Sequence, residues 1–271
     1  MTRALVVEAG AATHPGRRRA LNEDAFLAEA PAFLVADGMG GHDAGDLASR
    51  AAIAEFATLR GSGTVLLDDV RGALARARAA VDRLAGFGGG RAGTTLSGVV
   101  LAAVDGTGYW LALNIGDSRT YRLAEGQLEQ ITVDHSVVQE LVDAGELSAQ
   151  DAVTDRRRNI ITRAIGAGST GDADYWLFPA ERGDRMLVCS DGLPAEISDA
   201  AIRDILFAQR DPQAAAEQLV EAAVHAGGRD NVTVIVIDAV AVASRPGRPI
   251  ETGDDEIDMD TRPRATAGER H

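Results

Sequence analysis

Thr95-Leu-Ser-Gly-Val-Val-Leu-Ala-Ala-Val104, Tyr109-Trp-Leu-Ala-Leu-Asn-Ile115 and Arg119-Thr-Tyr-Arg-Leu123 follow one another with only Asp105-Gly-Thr-Gly108 and Gly116-Asp-Ser118 between them. Val, Ile, Tyr and Trp in short runs bounded by Gly and Asp predict strands. Parallel neighbours would need a crossover of about a dozen residues or more, so these links predict an antiparallel meander. A doubly wound parallel sheet is the alternative that this meander disfavours. Val99-Val-Leu-Ala-Ala-Val104 is apolar at odd and even positions alike, which predicts a strand covered on both faces.

Further runs of this kind predict strands over Leu5–Glu8, Phe33–Ala36, Met186–Ser190 and Val232–Val240. Helical spacing appears at Val70, Leu74, Ala77, Val81 and Leu84, and again at Ala216, Leu219, Val220 and Ala223. Asp46–Leu59 and Asp199–Phe207 also read as helices, each opening on an aspartate where the helix dipole favours one. Sheets packed together with helices outside account for this pattern. The stretch Gly145–Gly168 has no clean period and carries Arg156-Arg-Arg158. It reads equally as a flap beside a site or as a solvated excursion. From Ala243 the composition turns to Pro, Gly, Arg and acidic residues, which predicts a disordered acidic tail over 243–271.

The 27 Lys and Arg against 41 Asp and Glu give a net charge of −14. That balance excludes nucleic acid as the main partner, because a phosphate backbone selects basic surfaces. Cys189 is the single cysteine, so no internal disulfide framework exists, and a reducing, cytoplasmic setting is expected. Its apolar neighbours in Met186-Leu-Val-Cys189 predict a buried thiol. No apolar run approaches the roughly 18 residues that span a bilayer, and the first residues are too short an apolar stretch for a signal peptide. Gly88-Gly-Gly90-Arg-Ala-Gly93 spells a dinucleotide fingerprint, but it follows a helix and opens a strand, the reverse of the required order.

Four aspartates recur at strand ends. Asp37-Gly38 follows Phe33–Ala36, Asp117 follows Leu111–Gly116, Asp191-Gly192 follows Met186–Ser190, and Asp230-Asn231 precedes the last strand. Each alone is an ordinary turn. Gathered at one end of a sheet, they would repel and raise one another's pKa. A bound divalent cation removes that repulsion, and oxygen donors favour Mg²⁺ or Mn²⁺ over Zn²⁺. Near the N-terminus stands Arg19-Ala-Leu-Asn22-Glu23-Asp24. It reads as a polar loop by itself, or as a phosphate-binding guanidinium if it lies beside a metal cluster.

In order along the chain come Arg19-x-x-Asn22-Glu23-Asp24, Val35-Ala-Asp37-Gly-Met-Gly-Gly-His42, Gly93-Thr-Thr95, Gly116-Asp117-Ser118-Arg119, Cys189-Ser-Asp191-Gly192 and Gly227-Gly-Arg-Asp230-Asn231-x-Thr233. The ordered set resembles the motifs of the bacterial metal-dependent (PPM, type 2C) serine/threonine protein phosphatases, over about residues 5–240. That resemblance implies an α+β fold, a four-layer α/β/β/α sandwich of two antiparallel sheets flanked by helices. It implies a catalytic domain over 1–242 with a flap at about 145–168.

The resemblance also implies a two-metal centre of Mn²⁺ or Mg²⁺. Asp37 would bridge the ions, Gly38 would offer its carbonyl to one, and Asp191 and Asp230 would complete the other. Asp117 would join a third, weaker ion, while Glu23 and Asp24 would act through bound waters or hold the first shell. Arg19 would bind the substrate phosphate. Two ions about 3.5–4 Å apart lower the pKa of a bridging water to give the attacking hydroxide. The implied partners are phosphorylated proteins, with a bacterial Ser/Thr kinase and its substrates, acted on by a freestanding monomer. Met39-Gly-Gly separates Gly38 from His42, so the general-acid role of a histidine directly after Asp-Gly does not carry over. A catalytically weak, phosphoprotein-binding relative and a small phosphate-ester hydrolase are the alternatives.

Overall fold

The alternation within each central strand dictates the layering observed in a computed structural model, which describes residues 4–40, 44–62, 65–88, 92–169 and 171–243. The strands are β1 (Leu5–His14), β2 (Asp24–Glu29), β3 (Ala32–Met39), β4 (Gly93–Thr94), β5 (Leu96–Val104), β6 (Thr107–Ile115), β7 (Arg119–Ala124), β8 (Gln127–Gln130), β9 (Ile165–Gly166), β10 (Asp174–Pro179), β11 (Arg185–Cys189) and β12 (Val232–Val242). The helices are α1 (Ala44–Phe56), α2 (Leu67–Gly88), α3 (Val137–Asp143), α4 (Ala149–Ala152), α5 (Asp199–Ala208) and α6 (Pro212–Ala226).

One sheet runs β1-β12-β11-β7-β8, and the other runs β10-β6-β5-β3-β4-β9 with β2 also paired to β3. Every pairing between these strands is antiparallel. Successive side chains of a strand leave on opposite faces. Phe33, Val35, Val99, Leu101, Trp110 and Ala112 therefore meet Met186, Val188, Ile235 and Ile237 between the sheets. Their neighbours Leu34, Ala36, Val100, Leu111 and Leu113 face outward against Ala52, Phe56, Ala73, Ala77 and Val81 of α1 and α2. Leu187, Cys189, Val234 and Val236 face α5 and α6 through Ile202, Leu206, Ala216, Leu219 and Ala223. The result is the expected four-layer sandwich, assembled mainly from aliphatic and alanine side chains around a few aromatics such as Phe33, Trp110 and Phe56, since aromatics make up only 4% of the chain.

Phe56 is fully buried where α1 meets the sheet. Phe56→Ala is expected to cost about 3–5 kcal/mol, as large-to-small core replacements do. Chemical denaturation measures it, and a loss under about 1 kcal/mol would mean the outer layer is not tightly packed.

Some elements differ from the sequence reading. β2, β8 and β10 lie at or beside sheet edges and keep exposed positions, among them Phe26 and Leu177; β8 has no apolar run, while the four-residue runs Ala25–Ala28 and Tyr175–Phe178 are passed over by the sequence reading. Ser136 caps α3, which precedes the stretch 145–168 read as a flap or a solvated excursion, and Ser148 caps α4 within it, each side chain accepting an N–H three residues on. Those helices are too short to show a period. Ile165–Gly166 belongs to the sheet, paired with Gly93–Thr94 and buried, so the excursion runs from Val137 to about Ala164. Among the described residues, no helix is long and apolar enough to cross a membrane. Gly89, Gly90, Arg91, His42 and the tail from Ser244 lie outside the described residues.

Candidate active site

Antiparallel pairing delivers the acidic residues to one end of the sandwich. β3 carries Asp37 there, two residues before its end, and β2 begins there with Asp24, directly opposite it in register. β11 ends at Cys189, one residue before Ser190-Asp191, and Asp230-Asn231 lead into β12 beside it. The turn Gly116-Asp117-Ser118 joins β6 to β7 at the same end, and the β1–β2 connection brings Arg19 and Glu23.

The backbone around Asp37 is pinned. Its N–H donates to Thr95 Oγ1 at 2.9 Å, and its carbonyl accepts from Thr95 N–H and Thr94 Oγ1, both at 2.9 Å. Thr95 Oγ1 lies 2.7 Å from Ser118 Oγ, which links Asp37 to the Asp117 turn. Asp24 is buried, and its Oδ2 accepts hydroxyls from Ser190 at 2.8 Å and Thr233 at 2.7 Å. Asn231 Oδ1 accepts the Glu23 N–H at 2.9 Å, while its amide donates to the carbonyls of Pro15 and Leu21. Asn231 thus fastens the Arg19 connection to the start of β12.

The charges are closely coupled. Burial pushes the Asp24 carboxyl up to about 7, against the two hydroxyl donors, with Asp191 and Asp230 adding repulsion. Burial, then Asp24 and Asp191, holds Asp37 well above the carboxylate range. Asp117 rises to about 8 through burial and then Asp191, and Asp191 to about 6 through burial and then Asp230, despite a hydrogen bond between Asp191 and Asp37. Burial also raises Glu23, whose carboxylate meets the first turn of α1 at Gly45. Arg19 Nη2 donates to Asp230 Oδ2 at 2.7 Å, and that bond raises the guanidinium pKa.

Of the residues expected at the site, Asp24, Asp37, Asp117, Asp191 and Asp230 come together as one interacting set, with Glu23 and Gly38 at its margin. Arg19 is present, held by Asp230. Among the described residues, no three His, Cys, Asp or Glu side chains form a group arranged to hold an ion; here Asp37 and Asp191 share a hydrogen bond instead. The donor set nevertheless suits hard divalent cations. It is all oxygen, it carries excess negative charge in a half-buried cleft, and Asp24 Oδ1 and Glu23 Oε1 are buried without a partner. Sequence reasoning did not single out Thr95, Ser118, Ser190, Thr233 or Asn231 as site residues. Ser118, Ser190 and Asn231 directly adjoin site aspartates, and that adjacency is the available signal; Thr233 lies three residues past Asp230, and Thr95 is remote from all of them in sequence.

Two glycines leave no room for a side chain. A Cβ at Gly38 would lie 2.2 Å from the Gly45 carbonyl oxygen, and one at Gly192 would lie 2.0 Å from the Asn231 carbonyl oxygen. Gly38→Ala is expected to push α1 from the site, destabilising the fold by about 1–3 kcal/mol and weakening divalent-ion binding. Thermal unfolding and Mn²⁺ titration of the variant check both; wild-type values for both would mean that the backbone gives way freely.

The Protein phosphatase 2C family profile matches residues 13–225. The serine/threonine protein phosphatase PstP of Mycobacterium tuberculosis is 39% identical over 97% of this chain and 51% of its own length. This chain therefore spans about half of that relative. The serine/threonine phosphatase stp of Listeria monocytogenes is 34% identical over 77% of this chain and 84% of its own. Among solved structures, the catalytic domain of serine threonine protein phosphatase PstP in complex with two manganese ions matches with a TM-score of 0.78. It is 36% identical, covering 88% of this chain and 100% of that one.

Proposed function

The chain belongs to the Protein phosphatase 2C family of metal-dependent serine/threonine phosphatases, and from that premise we propose that it hydrolyses phosphoserine and phosphothreonine in proteins at the cleft of Asp37, Asp191 and Asp230. The observation that carries this reading is the set of five interacting aspartates, four of them held with raised pKa by burial and mutual repulsion.

In this reading Asp37, Asp191 and Asp230, with the Gly38 carbonyl, would hold two Mn²⁺ or Mg²⁺ ions, and Asp117 would hold a third. When bound, the ions supply Lewis-acid polarisation of the phosphoryl oxygens and acidify water to act near neutral pH. Glu23 and Asp24 would act through waters of the bound ions or hold the surrounding shell, Asp24 being itself fixed by the Ser190 and Thr233 hydroxyls. Arg19 is half-exposed at the rim, so its planar fork can turn from Asp230 to grip two phosphate oxygens. The Thr94, Thr95 and Ser118 bonds fix Asp37 in place, so little rearrangement accompanies the chemistry. Cys189 takes no part: it faces α5 and α6, and burial drives its thiol upward, away from the reactive thiolate.

Phosphoproteins, a Ser/Thr kinase acting on the same proteins, a cytoplasmic setting and a monomeric state complete the reading. The net charge of −14 supports the exclusion of nucleic acid. Phosphate release from a phosphothreonine peptide and from an aryl phosphate, each with Mn²⁺, tests the substrate class. Higher kcat/KM on the peptide is expected. Turnover of the aryl phosphate alone would make this a small-ester hydrolase.

A further inference from the structure

His135 is 5% exposed, and its bonds run in two directions. Toward the carboxylate cleft, its Nδ1 accepts the Gly116 N–H at 3.2 Å, while its own backbone N–H donates to the Gly116 carbonyl at 2.9 Å. Gly116 immediately precedes Asp117, so one residue grips the peptide units on both sides of Gly116, the second of which leads into Asp117. Away from the cleft, Nε2 lies 3.0 Å from Asp174 Oδ2, and Asp174 Oδ1 accepts from Arg163 Nη1 at 3.1 Å. The backbone continues the link: the His135 carbonyl accepts from Thr162 N–H at 2.8 Å, Ser136 bridges Ile161, and Val137 N–H donates to the Ile160 carbonyl. His135 therefore sits where the excursion carrying α3 and α4 leaves the body and where it returns.

The bonding assigns the tautomer. An amide N–H on Nδ1 requires a lone pair there, which puts the ring proton on Nε2, directed at Asp174. Arg163 Nη1, 3.3 Å from Nε2, is then a second donor converging on the same carboxylate.

We propose that His135 is a positioning residue that couples the Asp117 turn to the flap over Val137–Ala164, with Asp174 and Arg163 as the outer members of the link. Asp117 keeps its place in the cleft only while the Asp174 carboxylate holds the imidazole. This goes beyond the assigned activity, and only its Mn²⁺ readout rests on the phosphatase reading.

The test is amide hydrogen exchange on the full, metal-free chain carrying Asp174→Asn, which weakens the carboxylate acceptor on the half-exposed edge strand β10. A Ser148→Ala variant, which removes the α4 cap inside the flap but leaves His135 alone, serves as the control. Asp174→Asn is expected to speed exchange about tenfold or more both in the flap and at residues 115–118, while Ser148→Ala speeds it in the flap alone. In Mn²⁺ calorimetry, Asp174→Asn is expected to weaken the binding event that Asp117→Ala abolishes. Residues 115–118 keeping wild-type exchange in Asp174→Asn would overturn the proposal. So would Ser148→Ala loosening that turn as much as Asp174→Asn does. If the exchange pattern holds but the wild-type chain binds no Mn²⁺ and hydrolyses no phosphopeptide, the coupling stands and the phosphatase reading falls.

Discussion

Asp37→Asn is expected to lower phosphopeptide hydrolysis by on the order of 10³-fold or more, while raising the melting temperature of the metal-free protein at about pH 8. The loss follows from the place of Asp37 in the cleft. Its backbone is fixed at three points, it lies opposite Asp24, and its carboxyl touches Asp191. An amide has the same shape but lacks the charge a divalent ion needs, and Lewis-acid stabilisation by such ions is worth several kcal/mol. The gain in stability comes from the same environment. Burial, then Asp24 and Asp191, keeps the Asp37 carboxyl well above its ordinary range, so ionising it inside the folded protein is unfavourable. A neutral amide removes that cost, and a gain of about 1 kcal/mol would raise the melting temperature by roughly 2–4 °C. Phosphate-release kinetics and calorimetry on the variant check the two signs. Lower activity together with lower metal-free stability would mean that the hydrogen bond with Asp191 outweighs the cost of ionising Asp37, contrary to the account.

The second large effect is a pH dependence that the cation reverses. Asp24, Asp117 and Asp191 have folded-state values of about 7, 8 and 6, against an ordinary 3.8. Groups shifted upward bind protons more tightly in the folded state than in the unfolded one. Their contribution is therefore favourable at low pH and is lost as pH climbs from the ordinary value through the folded ones. One pKa unit corresponds to about 1.4 kcal/mol. The metal-free protein is expected to lose on the order of 3 kcal/mol between about pH 5 and pH 8, a drop of roughly 6–12 °C in melting temperature. Cations compete with protons for the same oxygens. Mn²⁺ at about a hundredfold over its Kd should restore roughly 2.7 kcal/mol at pH 8, and much less at pH 5. Melting curves across that range, with EDTA and with Mn²⁺, measure it. Stability that rises with pH in EDTA would show that the carboxylates are not clustered.

The sandwich was legible because its central strands are apolar on both faces. Phe33 to Ala36 and Val234 to Ile237 send alternate side chains to the space between sheets and to the helices, so an uninterrupted apolar run was the expected signal. Edge strands are a weaker case: Gln127–Gln130 has no such run, and Asp174–Pro179 carries a short one, Tyr175–Phe178, on a strand that exposes part of its length. The aspartates were legible as repeated strand-end turns, and antiparallel pairing explains why residues as far apart as Asp24 and Thr233 meet at 2.7 Å. The hydroxyls of Ser190 and Thr233, the Asn231 amide and the His135 link were not legible. Their roles depend on which two strand ends become neighbours, and local sequence does not encode that. The bond between Arg19 and Asp230 was equally invisible, because the sequence reading gave these two residues separate tasks.

The central claim is that the aspartate cleft, loaded with divalent cations, is the catalyst. The most direct measurement is phosphate release from a phosphothreonine peptide by the purified chain with Mn²⁺, with excess EDTA, and by Asp191→Ala with Mn²⁺. The account predicts turnover in the first case and loss of it in the other two, with the variant still folded by circular dichroism. Turnover that persists in EDTA, or in folded Asp191→Ala, would contradict it.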